Sequence, residues 1–202
     1  MSVKLKICGM KHNIAEVALL QPDYIGFIFY DKSPRNFTTT PPNLPSSIKR
    51  VGVFVNAALE DISEKIKSFH LDVVQLHGDE SPEFCQALSG VEIWKVFSIK
   101  DTFNFNKLTP YETVVDKFLF DTKGKEKGGN GYTFDWSVLK GYSLSTPFIL
   151  SGGIGPDEIE RVQQILKTDL PIYAIDLNSK FEQTPGLKDV NLLTNFMSHF
   201  EK

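Results

Sequence analysis

The sequence predicts a compact (β/α)8 barrel whose second helix is shortened or missing and whose fifth helix is weak. Three observations carry this expectation. Eight short apolar runs recur along the chain, at residues 3–7, 24–29, 50–55, 73–76, 93–97, 118–120, 148–150 and 172–175. Several are continuously apolar or β-branched, as parallel strands buried on both faces are. Segments of helical spacing separate most of them, and Leu192, Leu193, Phe196 and Phe200 form a last apolar helix pattern. A doubly wound open sheet would use the same alternation, but eight strands followed by a terminal helix favour closure. No linker, low-complexity tract or composition change divides the chain, so residues 1–202 are read as a single barrel domain.

Taken in order, the helical segments differ in quality. Ile14, Val17 and Ala18 fall at i, i+3 and i+4 after the first run, and Ile62, Ile66 and Phe69 do so after the third. Ser81-Pro82-Glu83 and Pro156-Asp157-Glu158 carry Pro and acids where helices start. Ile159, Val162, Ile165 and Leu166 continue the second of these starts. Residues 38–47, T-T-T-P-P-N-L-P-S-S, hold three prolines and no apolar period, so little or no helix is expected there. Residues 101–112 also make a poor helix. At 202 residues the chain is lean for a fold that usually takes roughly 250.

Composition removes several function classes. A formal net charge of −3 and a pI near 5.8 call for neither nucleic acid nor a membrane as partner. No apolar run reaches the ~18 residues of a spanning helix. The opening residues are charged and strand-like, unlike a signal peptide. Two cysteines make no disulfide framework, which favours a reduced, cytoplasmic chain. No metal-ligand spacing stands out.

In a barrel, chemistry gathers in the loops at the C-terminal ends of the strands. Cys8-Gly9 follows the first run and Arg35 the second. His77 and Asp79 follow the fourth and Asp121 the sixth, with glycines at 128, 129 and 131 beyond it. S-G-G-I-G at 151–155 follows the seventh run, and D-L-N-S-K at 176–180 the eighth. Gly152 and Gly153 would let backbone N–H groups approach an anion before a helix start, and Asn178 and Ser179 could add side-chain donors. Glycines also simply make turns. It is the pairing of these two loops, the fold's usual phosphate position, that favours an anion site.

Several motifs, in order, resemble the phosphoribosylanthranilate isomerase family of tryptophan biosynthesis. They are K-I-C-G-M at 6–10, S-P-R at 33–35, R-V-G-V-F-V-N at 50–56 and V-Q-L-H-G at 74–78. They continue with F-D-T-K at 120–123, G-G-N-G-Y-T-F-D-W at 128–136, S-G-G-I at 151–154, A-I-D-L-N-S-K-F-E at 174–182 and P-G-L-K-D at 185–189. The resemblance covers nearly the whole chain. It implies a cofactor-free Amadori rearrangement of N-(5-phosphoribosyl)anthranilate to 1-(2-carboxyphenylamino)-1-deoxyribulose 5-phosphate. It further implies Cys8 as general base, Asp121 as general acid, Arg35 as the anchor of the substrate carboxylate, and Gly152, Gly153, Asn178 and Ser179 as the phosphate site. Gly129, Gly131, Gln75 and His77 fall in shared motifs as substrate-loop candidates. The implied partner is a small sugar phosphate, and the implied protein a monomer or homodimer.

The chemistry asks for a Cys8 thiol lowered modestly from its usual value and an Asp121 carboxyl kept protonated, with Phe120 as a candidate desolvating neighbour. Without the resemblance, a thiol at a strand end reads as inert core, an aspartate there as a helix cap and Arg35 as a solvated loop residue. Cys85, beside Phe84 and Leu88, keeps the core reading, and His12, His70 and His199 carry no signal. Lys180 stands where the family usually has glycine, and prolines 41, 42 and 45 replace a longer helix, which would loosen the loop of Arg35. A histidine-pathway sugar isomerase on the same scaffold, which typically has an aspartate where this chain has Cys8, and a non-catalytic phosphate-binding barrel are the competing readings.

Overall fold

A computed structural model describes residues 3–40, 43–100, 102–122 and 135–200. Eight parallel strands close into a barrel in sequence order: β1 (Lys4–Ile7), β2 (Tyr24–Phe29), β3 (Lys49–Phe54), β4 (Val73–Leu76), β5 (Glu92–Ile99), β6 (Lys117–Thr122), β7 (Phe148–Leu150) and β8 (Ile172–Leu177), with β8 pairing β1. A two-stranded antiparallel hairpin, β9 (Glu182–Thr184) and β10 (Leu187–Lys188), follows β8 and was not anticipated. Asp121 and Asp176, read as loop residues, lie inside β6 and β8, where Asp121 pairs Ser98 and Asp176 pairs Lys6. The strands run on past their apolar stretch because these carboxylates face the barrel interior, not solvent.

The helices are α1 (Ile14–Leu19), α2 (Leu59–Phe69), α3 (Pro82–Ala87), α4 (Ile159–Ile165) and α5 (Val190–Ser198). The Ser81 hydroxyl caps α3 by accepting the Phe84 N–H at 3.2 Å, with Pro82 in the first turn. Asp189 caps α5 through the Leu192 N–H at 3.0 Å. Helix α2 carries Glu60 and Asp61 in its first turn and Lys67 in its last, each matching the helix dipole, and ends on His70 in the left-handed region. Among the described residues of 38–47 there is no helix, and the fifth connection is two 3-10 turns, Phe105–Lys107 and Thr109–Tyr111. In the described part of the sixth connection, residues 135–147, Trp136–Gly141 is likewise 3-10.

Aromatic side chains cover the strands where helices are lacking. Phe97, Phe103, Phe105, Phe118, Phe120, Tyr142 and Phe148 form one chain of ring contacts outside β5–β7, with neighbouring centroids 4.9–6.3 Å apart. Phe37 does the same after β2, packing on Phe27 and Phe69. Inside the barrel, Tyr24, Val51, Val53, Val73, Trp94, Val96, Leu119, Ile149 and Ala174 form a separate cluster capped by Cys8. Trp94 is wholly buried near its floor, edge-on to Tyr24 at 5.0 Å, with its indole N–H on Glu92.

Candidate active site

Period-2 alternation along β1 sends Leu5 and Ile7 into the outer layer and Lys6 and Cys8 inward. The Cys8 N–H continues the ladder onto the Leu177 carbonyl at 2.8 Å, so the thiol stands at the rim of the barrel interior. Gly9 then turns away with φ +72°; a Cβ there would fall 2.6 Å from Asn178 Oδ1 and 2.7 Å from Arg35 Cδ. The glycine after the thiol is what lets these two side chains close over it.

A cavity of about 710 Å³ opens at the C-terminal ends of the strands. Cys8, Arg35, Gln75, His77, Asp121, Gly152, Gly153, Asn178 and Ser179 all line it. Gly129 and Gly131 lie outside the described residues. Asp121 faces into the cavity from β6, as Cys8 does from just past β1, and its Oδ1 accepts the Thr122 N–H at 2.8 Å. His77 Nε2 lies 3.3 Å from Asp121 Oδ2, and Gln75 reaches His77 Nδ1 at 3.4 Å. Phe120 is not the neighbour that desolvates Asp121. Alternation sends its ring outward among Phe105, Tyr142 and Phe148.

Gly152 and Gly153 both have positive φ, +86° and +69°. At Gly152 a Cβ would sit 2.4 Å from the Thr122 nitrogen and 2.6 Å from Asp121 Oδ1. Its lack of side chain therefore makes room for Asp121 as well as shaping the loop. Asn178 and Ser179 open the turn Ser179–Phe181 on the same side of the cavity. The Lys180 stem packs on Gly155, whose missing Cβ would lie 3.1 Å from Lys180 Cβ.

The loop of Arg35 is tied down before the proline-rich segment begins. Its own N–H reaches Ser33 Oγ at 3.1 Å, Asn36 N–H reaches the Ser33 carbonyl at 3.0 Å, and Phe37 is buried with its N–H on Ile28 at 2.8 Å. The guanidinium grips Glu182: Nε lies 2.9 and 3.0 Å from the two carboxylate oxygens and Nη2 is 2.5 Å from Oε2. Arg35 is thus a paired residue at the cavity wall rather than a solvated one.

The charges that surround Cys8 escaped the sequence reading. Lys6, wholly buried, donates to Gln75 at 2.8 Å and Asp176 at 2.9 Å, and Asp176 also accepts the Ser151 hydroxyl at 3.0 Å. Lys188, equally buried, donates to Asn178 and Glu182 at 2.8 Å each. Strand alternation alone could have found Lys6, because a strand buried on both faces must turn residue 6 inward.

Burial pushes the Cys8 thiol up, while Lys6 pulls it down, Asp176 pushes it further up and Lys188 pulls it down. The net is a raised thiol, not the lowered one the chemistry called for. Burial works against the Lys6 charge, but Asp176 and then Cys8 outweigh it and hold the ammonium above the usual lysine value. Burial also works against Glu182, yet Arg35 and Lys188 hold its carboxyl below the usual range. Cys85, inside α3 and in the outer core, is pushed up to about 11, chiefly by burial. Among the described residues no group of three or more His, Cys, Asp or Glu is placed to hold a metal ion, and no helix is long and apolar enough to cross a membrane.

A closed eight-stranded barrel with a polar cavity at the strands' C-terminal ends, walled by a thiol, carboxylates and cations, defines a barrel enzyme acting on a small polar molecule. Comparison with known proteins narrows the class. The sequence pattern of the family described as N-(5'phosphoribosyl)anthranilate (PRA) isomerase matches residues 5–199. The N-(5'-phosphoribosyl)anthranilate isomerase of Parabacteroides distasonis is 47% identical over 204 residues, covering 96% of this chain and 91% of that protein. The crystal structure of phosphoribosyl anthranilate isomerase from Thermotoga maritima superposes with a TM-score of 0.84 at 30% identity, covering 98% of each chain. A further isomerase of this kind, solved in complex with reduced 1-(o-carboxyphenylamino)-1-deoxyribulose 5-phosphate, superposes at 0.80 with 27% identity, covering 98% of this chain and 97% of that one. The chain belongs to the phosphoribosylanthranilate isomerase family, enzymes of tryptophan biosynthesis.

Proposed function

We propose that the chain converts N-(5-phosphoribosyl)anthranilate to 1-(2-carboxyphenylamino)-1-deoxyribulose 5-phosphate, with Asp121 as general acid and Cys8 as general base. One observation carries the reading: Cys8, just past β1, and Asp121 on β6 enter the same cavity, with Arg35 on the wall and Gly153, Asn178 and Ser179 along the β7–β8 side, while the acid and base roles are those the resemblance implies. Such a cavity can hold a ligand with a carboxylate at one end and a phosphate at the other. The relative solved with a reduced carboxyphenylamino sugar phosphate supports that pairing.

In this reading Asp121 protonates the furanose oxygen and the ring opens to a protonated Schiff base. The iminium withdraws electrons from C2 of the sugar, and Cys8 removes the C2 proton; the enolamine then tautomerises to the ketone. His77, whose Nε2 lies 3.3 Å from Asp121 Oδ2, orients that carboxyl. The raised Cys8 thiol becomes a usable base when the substrate arrives. The iminium adds a positive charge beside a sulfur already flanked by the ammonium groups of Lys6 and Lys188. Arg35 holds the carboxylate, and the Gly152–Gly153 backbone with Asn178 and Ser179 holds the phosphate.

The chemistry needs no cofactor, and a reduced, cytoplasmic setting suits a reactive thiol. The protein is read as a monomer or homodimer; the Thermotoga maritima relative is described as dimeric. A coupled turnover assay with phosphoribosylanthranilate generated in situ tests the function. Turnover of this aminoaldose and none of the histidine-pathway aminoaldose is expected. Binding of sugar phosphates without turnover would instead support a non-catalytic barrel.

A further inference from the structure

The hairpin β9–β10 places Lys188 opposite Glu182, with both side chains buried against the barrel mouth. Gly186, at φ +87°, turns between the strands and donates its N–H to Glu182 Oε1 at 3.1 Å. Glu182 therefore receives a backbone N–H, the Lys188 ammonium and two N–H donors along one edge of Arg35, which is near the full capacity of a carboxylate. Lys188 extends the chain to Asn178. A guanidinium has five N–H groups in a fixed plane. Glu182 takes Nε–H and one N–H of Nη2, which leaves the outer N–H of Nη2 and one N–H of Nη1 as a parallel pair along the end of the guanidinium.

We propose that Glu182 is a positioning residue: it fixes the Arg35 guanidinium so that its unpaired edge meets the carboxylate of the substrate's aromatic ring, and the hairpin links that anchor through Lys188 to Asn178 on the phosphate side. The proposal rests on the reading of Arg35 as carboxylate anchor. The opposite arrangement, in which the substrate carboxylate displaces Glu182, is disfavoured because release would leave a carboxylate and the Lys188 ammonium rearranging inside a site where their side chains are 4% and 0% exposed.

The test measures binding by calorimetry with two ligands, reduced 1-(o-carboxyphenylamino)-1-deoxyribulose 5-phosphate and its phenylamino analogue without the carboxylate. Glu182→Gln should weaken the first about 5–30-fold, part of what a lost charged hydrogen bond is worth, and leave the second unchanged. Glu182→Asp, which keeps the charge, should recover part of the loss. Arg35→Ala combined with Glu182→Gln should bind no worse than Arg35→Ala alone. Where the single variant folds poorly, Glu182→Gln with Lys188→Met removes the buried ammonium together with its partner; loss of the Lys188–Asn178 bond then weakens both ligands alike, and the comparison is the ratio of the two affinities against that in Lys188→Met alone.

Equal weakening of both ligands would make Glu182 a merely structural residue, and tighter binding of the carboxylate ligand by Glu182→Gln would mean that the two carboxylates compete. Either outcome overturns the proposal. The underlying reading fails separately, by Arg35→Ala weakening both ligands alike. Selectivity in Arg35→Ala without selectivity in Glu182→Gln would sink this proposal alone.

Discussion

Cys8 and Cys85 are both buried, yet their surroundings differ in kind. Cys85 is packed in apolar core, whereas Cys8 opens on a cavity between the ammonium groups of Lys6 and Lys188 and the Asp176 carboxylate. Cys8→Ala should leave the fold intact and lower kcat by about 10²–10⁴-fold, the usual share of one acid–base group. Near-normal kcat in the folded variant would remove Cys8 from the mechanism. Because its thiol is raised, alkylation of the free enzyme at Cys8 should accelerate with pH along a curve centred above the ordinary thiol value of about 8.5. A midpoint at or below that value would contradict the site described. Asp121→Asn, which keeps the shape but loses the acidic proton, should lower kcat strongly with little change in KM. Arg35→Ala should mainly raise KM. Steady-state kinetics of both variants under one set of conditions separates these outcomes.

Two connections are held by buried charge. The loop after β4 closes on Glu80, which accepts the Asn56 and Gly78 N–H groups and pairs with Lys95 at 3.0 Å, while Lys95 also donates to the Gly78 carbonyl at 2.8 Å. That brace fixes His77 against Asp121. Lys95→Met leaves the Glu80 carboxylate buried without its cation and should cost about 3–5 kcal/mol of stability, read from urea unfolding. The hairpin behaves differently with pH. Glu182 has a folded pKa below the unfolded carboxylate value of about 4.3. Its pairing thus contributes stability that is present above about pH 4.3 and lost as pH falls through the lower, folded value. Unfolding measured from pH 7 to pH 3 should show a loss on the acid side that Glu182→Gln flattens. An unchanged acid limb would mean that the carboxylate is not held down as described.

Over the whole molecule, lean length and aromatic content are linked. Among the described residues the connections after β5 and β6 hold 3-10 turns and no α-helix, and the rings of Phe105, Phe120, Tyr142 and Phe148 fill that space. Phe120→Ala should therefore cost about 3–5 kcal/mol although its neighbour Asp121 is a site residue, and activity of the folded fraction should be retained. The barrel was legible in the sequence because doubly buried strands are apolar almost end to end, and Pro-rich 38–47 announced the lack of a helix among its described residues. Cys8, Arg35 and Asp121 stand at strand ends in the sequence, but only the family resemblance marks them as site residues; alone they read as inert core, a solvated loop arginine and a helix cap. What escaped was pairing. Nothing local says that residue 6 meets 176, that 35 meets 182 or that 182 meets 188, since each partner is chosen by closure of the barrel. Asp121 and Asp176 read as loop residues in the sequence because polarity at an inward-facing strand end looks like polarity in solvent.

Trp94, sealed into the barrel floor beside Tyr24, gives the protein an internal lamp. Its ring has no contact with water, so in a Trp136→Phe variant, where it is the one tryptophan left, its emission should be blue-shifted and resistant to iodide until the barrel opens. A ligand seated at the mouth would leave those surroundings untouched. An aminobenzoate ring, however, absorbs where tryptophan emits. A ligand carrying one should dim the lamp by energy transfer without changing its colour, so that occupancy and unfolding can be read from the same spectrum as two separate signals.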